Sequence, residues 1–320
     1  MLAQWCFITA ISAAAWRCTR CKPPMHGQAS SRSIPARCSY WPGNVLPQAL
    51  IPLTRFPFSK MIQKKILTLV CTAVLASLSF SHSVQAGPRL DKIMEAKVIR
   101  VGTPGDYRPF AIRTDTGFSG HDIDVMESLA KEMGVKVEYV QTSWPNLLKD
   151  IQAGKFDVAV GGITRNVARM RTIDMLPGYA PFGKVALVRS ADKAKFMTQD
   201  DLNKPTVRVI KNPGGTNEIF VLENLKAAQV STHEKNAEIP ALIAEGKGDV
   251  MITETYEALV YSKADPRLYA AFVDTPLTPK SYLGFMLPTD DADFVRVMGF
   301  VWGQVDSRGG IKQAADKWLK

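Results

Sequence analysis

The sequence predicts an α/β fold of two lobes with a ligand cleft between them and two hinge crossings. Three observations carry that reading. Beyond Gly87, short β-branched runs alternate with amphipathic segments at helical spacing, the pattern of strands connected by packed helices. Two such sets follow one another, roughly over 98–160 and 185–263, and helical segments over 291–305 and 310–319 read as material returning to the first set. Each strand runs into a loop before its helix, and open α/β sheets bind ligands beyond such strand ends. The expected division is 87–185 plus 284–320 for one lobe and 186–283 for the other, with crossings near 183–187 and 283–285.

The elements follow in order. Residues 98–102 alternate as a first strand, and Gly105-Asp106-Tyr107-Arg108-Pro109 breaks it into a loop. Ile123, Met126, Leu129 or Ala130, and Met133 recur at helical spacing, and Gly134 is placed to end that helix. Residues 137–140 form the next strand, and Pro145 opens a helix carrying Leu147, Leu148 and Ile151. Residues 156–160 read as a buried strand running into Gly161-Gly162. In the second set, strands over 206–210 and 249–252 are expected. Gly214-Gly215-Thr216-Asn217 forms a turn into a helix, and further helices run over 237–244 and about 255–263.

The formal net charge of +10 over 320 residues would point toward nucleic acid or an anionic membrane. The excess is local. Nine Lys/Arg and no Asp or Glu precede residue 87, leaving 31 basic against 30 acidic residues beyond it. No nucleic-acid partner is expected. Cys6, Cys18, Cys21, Cys38 and Cys71 also all precede residue 87, so the remainder needs no disulfide. Cys18 and Cys21 with His26 lack the second ligand pair that a zinc site requires. His121 and His233 stand alone, each read as exposed or structural, and no metal or cofactor is expected. No P-loop, dinucleotide fingerprint or Ser/His/Asp arrangement is present.

Met61, Lys64-Lys65, the apolar run over 66–80 and the small residues around Ala86 read as an export signal cleaved before Gly87. The run is too short for stable membrane insertion. Residues 1–60 read as an upstream extension outside the fold, and the periplasm is the expected location.

The order Gly105-Asp106-Tyr107-Arg108-Pro109-Phe110, Gly120-His-Asp-Ile-Asp124, Phe156-Asp-Val-Ala159, Thr164 and Arg169 resembles the family 3 periplasmic solute-binding proteins. The likeness spans essentially all of 87–320. Thr142-Ser-Trp-Pro-Asn-Leu147 and Asn212-Pro-Gly-Gly-Thr-Asn-Glu218 are similar to the cyclohexadienyl dehydratases within that superfamily. Those enzymes convert prephenate or arogenate to phenylpyruvate or phenylalanine.

The resemblance assigns Arg169 to a ligand carboxylate, and a guanidinium offers a planar fork that matches both oxygens. Read alone, Arg169 is equally a solvated arginine near Arg165 and Arg171. Thr164 adds a hydroxyl and a backbone N–H. The Gly215-Thr216-Asn217 helix start, preceded by Asn212, suits a second anionic group, or is an ordinary capped glycine turn. Trp144 offers an apolar wall to a six-membered ring, or simply packs in the core. Asp106 falls in the first cleft loop, or merely forms its turn.

In amino-acid binders the position of Glu254 accepts the ligand amine, and the position of Glu257 is that of the dehydratase general acid. Without the resemblance, the two are a charge pair at a helix start. Four departures stand out. Arg165 replaces an apolar residue, Glu254 an aspartate, a Cys pair of the second lobe is missing with Arg189 near one site, and the segment 281–285 differs. The resemblance implies either a periplasmic dehydratase, or a non-catalytic receptor that hands a polar amino acid or small carboxylate to an ABC permease.

Overall fold

The computed structural model describes residues 87–320. The expected leader and upstream extension lie outside those residues. Two five-stranded sheets organise the chain, one per lobe. In the first, the strand order is Lys136–Gln141, Val98–Thr103, Val158–Ala159, Met286–Leu287, Asp174–Met175. The first three run parallel, and Met286 pairs antiparallel with both Ala159 and Met175.

Helices His121–Met133 and Ala292–Ser307 cover this sheet, burying Val125, Met126, Leu129, Phe294, Met298 and Trp302 against Ile99 and Val101. The first of these helices ends where expected. Gly134 takes φ 68°, a left-handed conformation in which a side chain is strained, and its N–H reaches back to Ala130 and Lys131. Asp291 holds the two ends of the lobe together. Its Oδ1 accepts the N–H of Phe294, capping its own helix, while Oδ2 accepts those of Arg89 and Leu90 at the start of helix Pro88–Ala96.

The second sheet has the order Gln229–Thr232, Arg208–Lys211, Val250–Glu254, Lys184–Arg189, Leu268–Ala271. Strand Val250–Glu254 is buried at every position. Alternate side chains leave a strand on opposite faces. Val250 and Ile252 accordingly join Val209 and Val221 in one cluster, while Met251 joins Leu187, Ile239 and Ile243 in another. A sheet covered on both faces reads as the continuous apolar run seen in the sequence. The short antiparallel ribbon of Pro181–Phe182 with Ser281–Tyr282 runs alongside the two crossings.

Three local features depart from the sequence reading. The loop after the first strand is itself structured, as Asp106–Tyr107, Ala111–Thr114 and Gly117–Ser119 form a small antiparallel sheet. Pro145 lies in a turn, and the helix starts at Leu147. Residues 237–244 divide into a 3₁₀ turn, Asn236–Glu238, and a helix, Ile239–Ala244. His121 is structural: fully buried, it faces the Asp122 carboxylate through Nδ1 at 2.8 Å and stacks on Tyr179.

Arg189, near one of the missing cysteines, ties its strand to neighbouring segments without sulfur. Its guanidinium donates to Asp192, Asp249 and the carbonyls of Ile243 and Gly248. Burial opposes ionisation of Asp249, but Arg208 and Arg189 hold its carboxyl well below the usual range.

Candidate functional site

The carboxyl ends of the parallel strands of both lobes meet in one place. The loop after Val98–Thr103 supplies Tyr107, the loop after Lys136–Gln141 supplies Trp144, and that after Val158–Ala159 supplies Gly162, Thr164 and Arg169. From the second lobe come Asn212, Thr216, Asn217 and Glu254. These nine residues enclose a space of about 10 Å³, room for roughly one water. A larger cavity, about 740 Å³, lies away from these loops, and four of its charged residues, Arg89, Arg100, Asp157 and Asp290, are paired with one another.

The lobes are shut on one another by polar contacts. Thr164 donates through Oγ1 to Glu254 Oε1 at 3.0 Å and lies 3.1 Å from the Thr216 hydroxyl. Gly214 approaches Pro145 so closely that an added Cβ would lie 2.4 Å from the proline nitrogen, and its φ is +84°. Gly214→Ala is therefore expected to weaken ligand binding by tenfold or more, because the clash and the strain of about 1 kcal/mol or more fall on the closed form. Isothermal calorimetry reads this directly. An alanine variant with unchanged affinity would mean that the contact plays no part in closure.

Arg169 is placed by helix Val167–Met170, whose start is capped by Asn166 Oδ1 accepting the Arg169 N–H. One guanidinium N–H goes to the Thr164 carbonyl at 2.7 Å. Among the described residues no carboxylate pairs with it. Burial pulls its pKa down to about 10, which leaves it cationic at neutral pH. A buried cation with unused N–H groups is an anion receptor in search of a carboxylate.

Sequence reasoning missed Lys184. This buried ammonium donates to Glu254 Oε1 at 2.7 Å and to Thr216 Oγ1 at 2.8 Å, and it bonds Asn217 Oδ1 as well. It fills the space beside the Glu254 carboxylate. Burial, reinforced by Arg169, pushes its pKa well below the usual lysine value, and burial raises Glu254 to about 8. A lone charge heading the apolar run 185–188 was the available signal. Tyr107 was also overlooked, and its buried hydroxyl has no hydrogen-bond partner among the described residues.

Asp106, Gly215 and Glu257 do not line the enclosed space. Asp106 accepts the Trp144 indole N–H at 2.9 Å, and burial raises its pKa. Gly215 caps helix Thr216–Asn224. Glu257 is 0% exposed and lies behind Glu254, in the first turn of helix Thr255–Ala264. Its Oε1 accepts from Asn236 Nδ2 at 2.7 Å, and its Oε2 contacts the Thr253 hydroxyl. Burial, assisted by the charges of Glu254 and Asp106, keeps its pKa well above the ordinary 4.5, against the opposing hydrogen bonds of Thr253 and Asn236. Burial thus favours the protonated form of this carboxyl.

Comparison with known proteins places this geometry in context. A cyclohexadienyl dehydratase of Pseudomonas aeruginosa is 37% identical over 264 residues, covering 82% of this chain and 96% of the relative. A probable amino-acid ABC transporter-binding protein of Haemophilus influenzae is 25% identical, covering 80% and 97%. Among solved structures, an ancestral amino acid-binding protein described as a precursor of cyclohexadienyl dehydratase superposes with a TM-score of 0.67 at 33% identity. It covers 72% of this chain and 100% of its own. An L-arginine-bound substrate-binding protein of an amino acid ABC transporter from Streptococcus pneumoniae gives 0.66 at 26% identity, covering 73% and 97%. No helix among the described residues is long and apolar enough to cross a membrane. Residues 99–320 match the family model itself, and the chain belongs to the bacterial extracellular solute-binding proteins, family 3.

Proposed function

We propose that the protein is a periplasmic cyclohexadienyl dehydratase acting on prephenate, with arogenate as the related substrate. The observation that carries this reading is Glu257, a fully buried carboxyl whose protonated form is favoured by burial, one helical turn from Glu254 at a cleft with two cationic side chains. The cations match a substrate with two carboxylates. Arg169 clamps one, while Lys184 and the N–H groups at the Gly215–Asn217 helix start receive the other. Trp144 and Tyr107, packed edge to face with centroids 5.6 Å apart, offer a wall to the ring.

In the reaction the bond between the ring and its carboxylate carbon breaks, releasing CO2, and its electron pair enters the ring. The ring C–O bond breaks in turn, and the departing hydroxyl takes the Glu257 proton and leaves as water. Aromatisation drives the step, and the Glu257 carboxylate regains a proton from solvent when the lobes part. Closure excludes water from the reacting ring. No cofactor enters this scheme.

The second reading is a binding protein for an ABC importer, carrying a polar amino acid or small carboxylate. Arg169, Thr164 and Glu254 serve it equally, and the relative from Haemophilus influenzae bears such a name. Lys184 counts against it, because an ammonium already sits on Glu254. Incubating the full chain with prephenate separates the two. Phenylpyruvate should form well above spontaneous decay. An inert protein that binds an amino acid in calorimetry would establish the receptor in its place.

A further inference from the structure

We infer that Asn236 is a positioning residue that orients the Glu257 carboxyl and makes that orientation depend on lobe closure. The assignment rests on the dehydratase reading only for its catalytic consequence. The amide nitrogen of Asn236 sits 2.7 Å from Glu257 Oε1 and 3.3 Å from the Asp106 carbonyl oxygen. Its two hydrogens therefore go to different lobes, since Asp106 belongs to the small sheet of the first and Asn236 to the 3₁₀ turn of the second. Asn236 is fully buried, and its own Oδ1 has no hydrogen-bond partner among the described residues. A buried acceptor left unpaired is unfavourable, so flipping the amide would be the natural escape. The Asp106 carbonyl forbids it. That oxygen accepts only, and a flipped amide would point oxygen at oxygen.

Two consequences follow for the acid. Both carboxyl oxygens face a donor, Oε1 the Asn236 amide and Oε2 the Thr253 hydroxyl, so the two contacts together fix the orientation of the Glu257 carboxyl. The donor also favours the ionised form, opposing the larger effect of burial. The other groups acting on this carboxyl are Glu254 and Asp106, which oppose ionisation, together with Lys184 from the neighbouring strand and Tyr261 from its own helix. Opening the cleft withdraws the Asp106 carbonyl, and the amide is then free to turn away from Glu257. A freely turning amide no longer holds the carboxyl in that orientation.

The test measures Glu257 itself. The full chain is labelled with 13C at glutamate side-chain carboxyls, the Glu257 resonance is assigned by its loss in Glu257→Gln, and its titration is followed by NMR. In Asn236→Ala the midpoint should rise, because a donor to the carboxylate is gone. In Asn236→Asp, which keeps the volume, it should rise further through like-charge repulsion. With prephenate, kcat should fall about tenfold in the alanine variant, KM should stay within about twofold, and the alkaline limb of kcat should move upward. An unchanged midpoint in both variants, or a loss confined to KM, would overturn the assignment. If the chain is inert toward prephenate while the midpoint still moves, the dehydratase reading fails and the positioning role stands.

Discussion

Replacing Glu257 by glutamine is expected to lower prephenate turnover by about 10²- to 10⁴-fold, the range for loss of a positioned general acid. Substrate binding should change little, since glutamine keeps the shape and can still accept from Asn236 and donate to Thr253. In the native protein the active form is the protonated acid. Activity should fall as pH rises through the raised pKa of Glu257, and the fall should lie well above the ordinary carboxyl range. Stability follows with a defined sign. The folded pKa lies above the ordinary 4.5, so the carboxyl's favourable contribution is complete below about that pH. It is lost as pH rises through the folded value. The glutamine variant does not titrate. Relative to the native protein its melting temperature should rise with pH above about 4.5 and level off beyond the folded pKa, as scanning calorimetry can record. Turnover within tenfold of native, or a difference in melting temperature that is flat with pH, would remove Glu257 from the proposed role.

The second large effect belongs to Arg169. Truncating one partner of a buried, hydrogen-bonded charge pair typically costs about 2–5 kcal/mol, so Arg169→Ala should weaken binding of a carboxylate ligand about 30- to 5,000-fold. Arg169→Lys is the sharper experiment. It keeps the charge and removes the fork, and it should still weaken binding at least about tenfold because an ammonium cannot hold two oxygens in one plane. Arginine at this site retains its charge up to about pH 10, so the affinity difference should persist across neutral pH. Equal affinities for the arginine and lysine proteins would show that the site reads charge alone, or that the ligand carboxylate sits elsewhere.

Much of this was legible in the sequence where the signal is local. Gly134 ends its helix because a left-handed turn needs glycine, and the Gly214–Asn217 turn opens a helix because small residues and caps precede an apolar stripe. Asn212 follows strand Arg208–Lys211 directly, Glu254 ends strand Val250–Glu254, and Thr164 and Arg169 fall in the connection after Val158–Ala159, so the order of strands in the sequence already brings these cleft positions together. What escaped depends on partners far along the chain. Lys184 has its meaning only beside Glu254 and Asn217, residues 70 and 33 positions away. Asn236 looks like any polar residue in a turn until the fold brings Asp106, 130 positions earlier, against it. The depth of Glu257 was hidden for the same reason, since its helix shows no clean polar face and only the packed structure shows which carboxyl is sealed.

The place of Met286–Leu287 in the first sheet has a consequence for how the molecule is made. That strand lies between Val158–Ala159 and Asp174–Met175, so the sheet has a gap until residue 287 is available. The strands of the second sheet all lie within 184–271 and have left the ribosome before then. During synthesis the lobe nearer the amino terminus is therefore the last to complete its sheet, although its first strand is made before any of the other's.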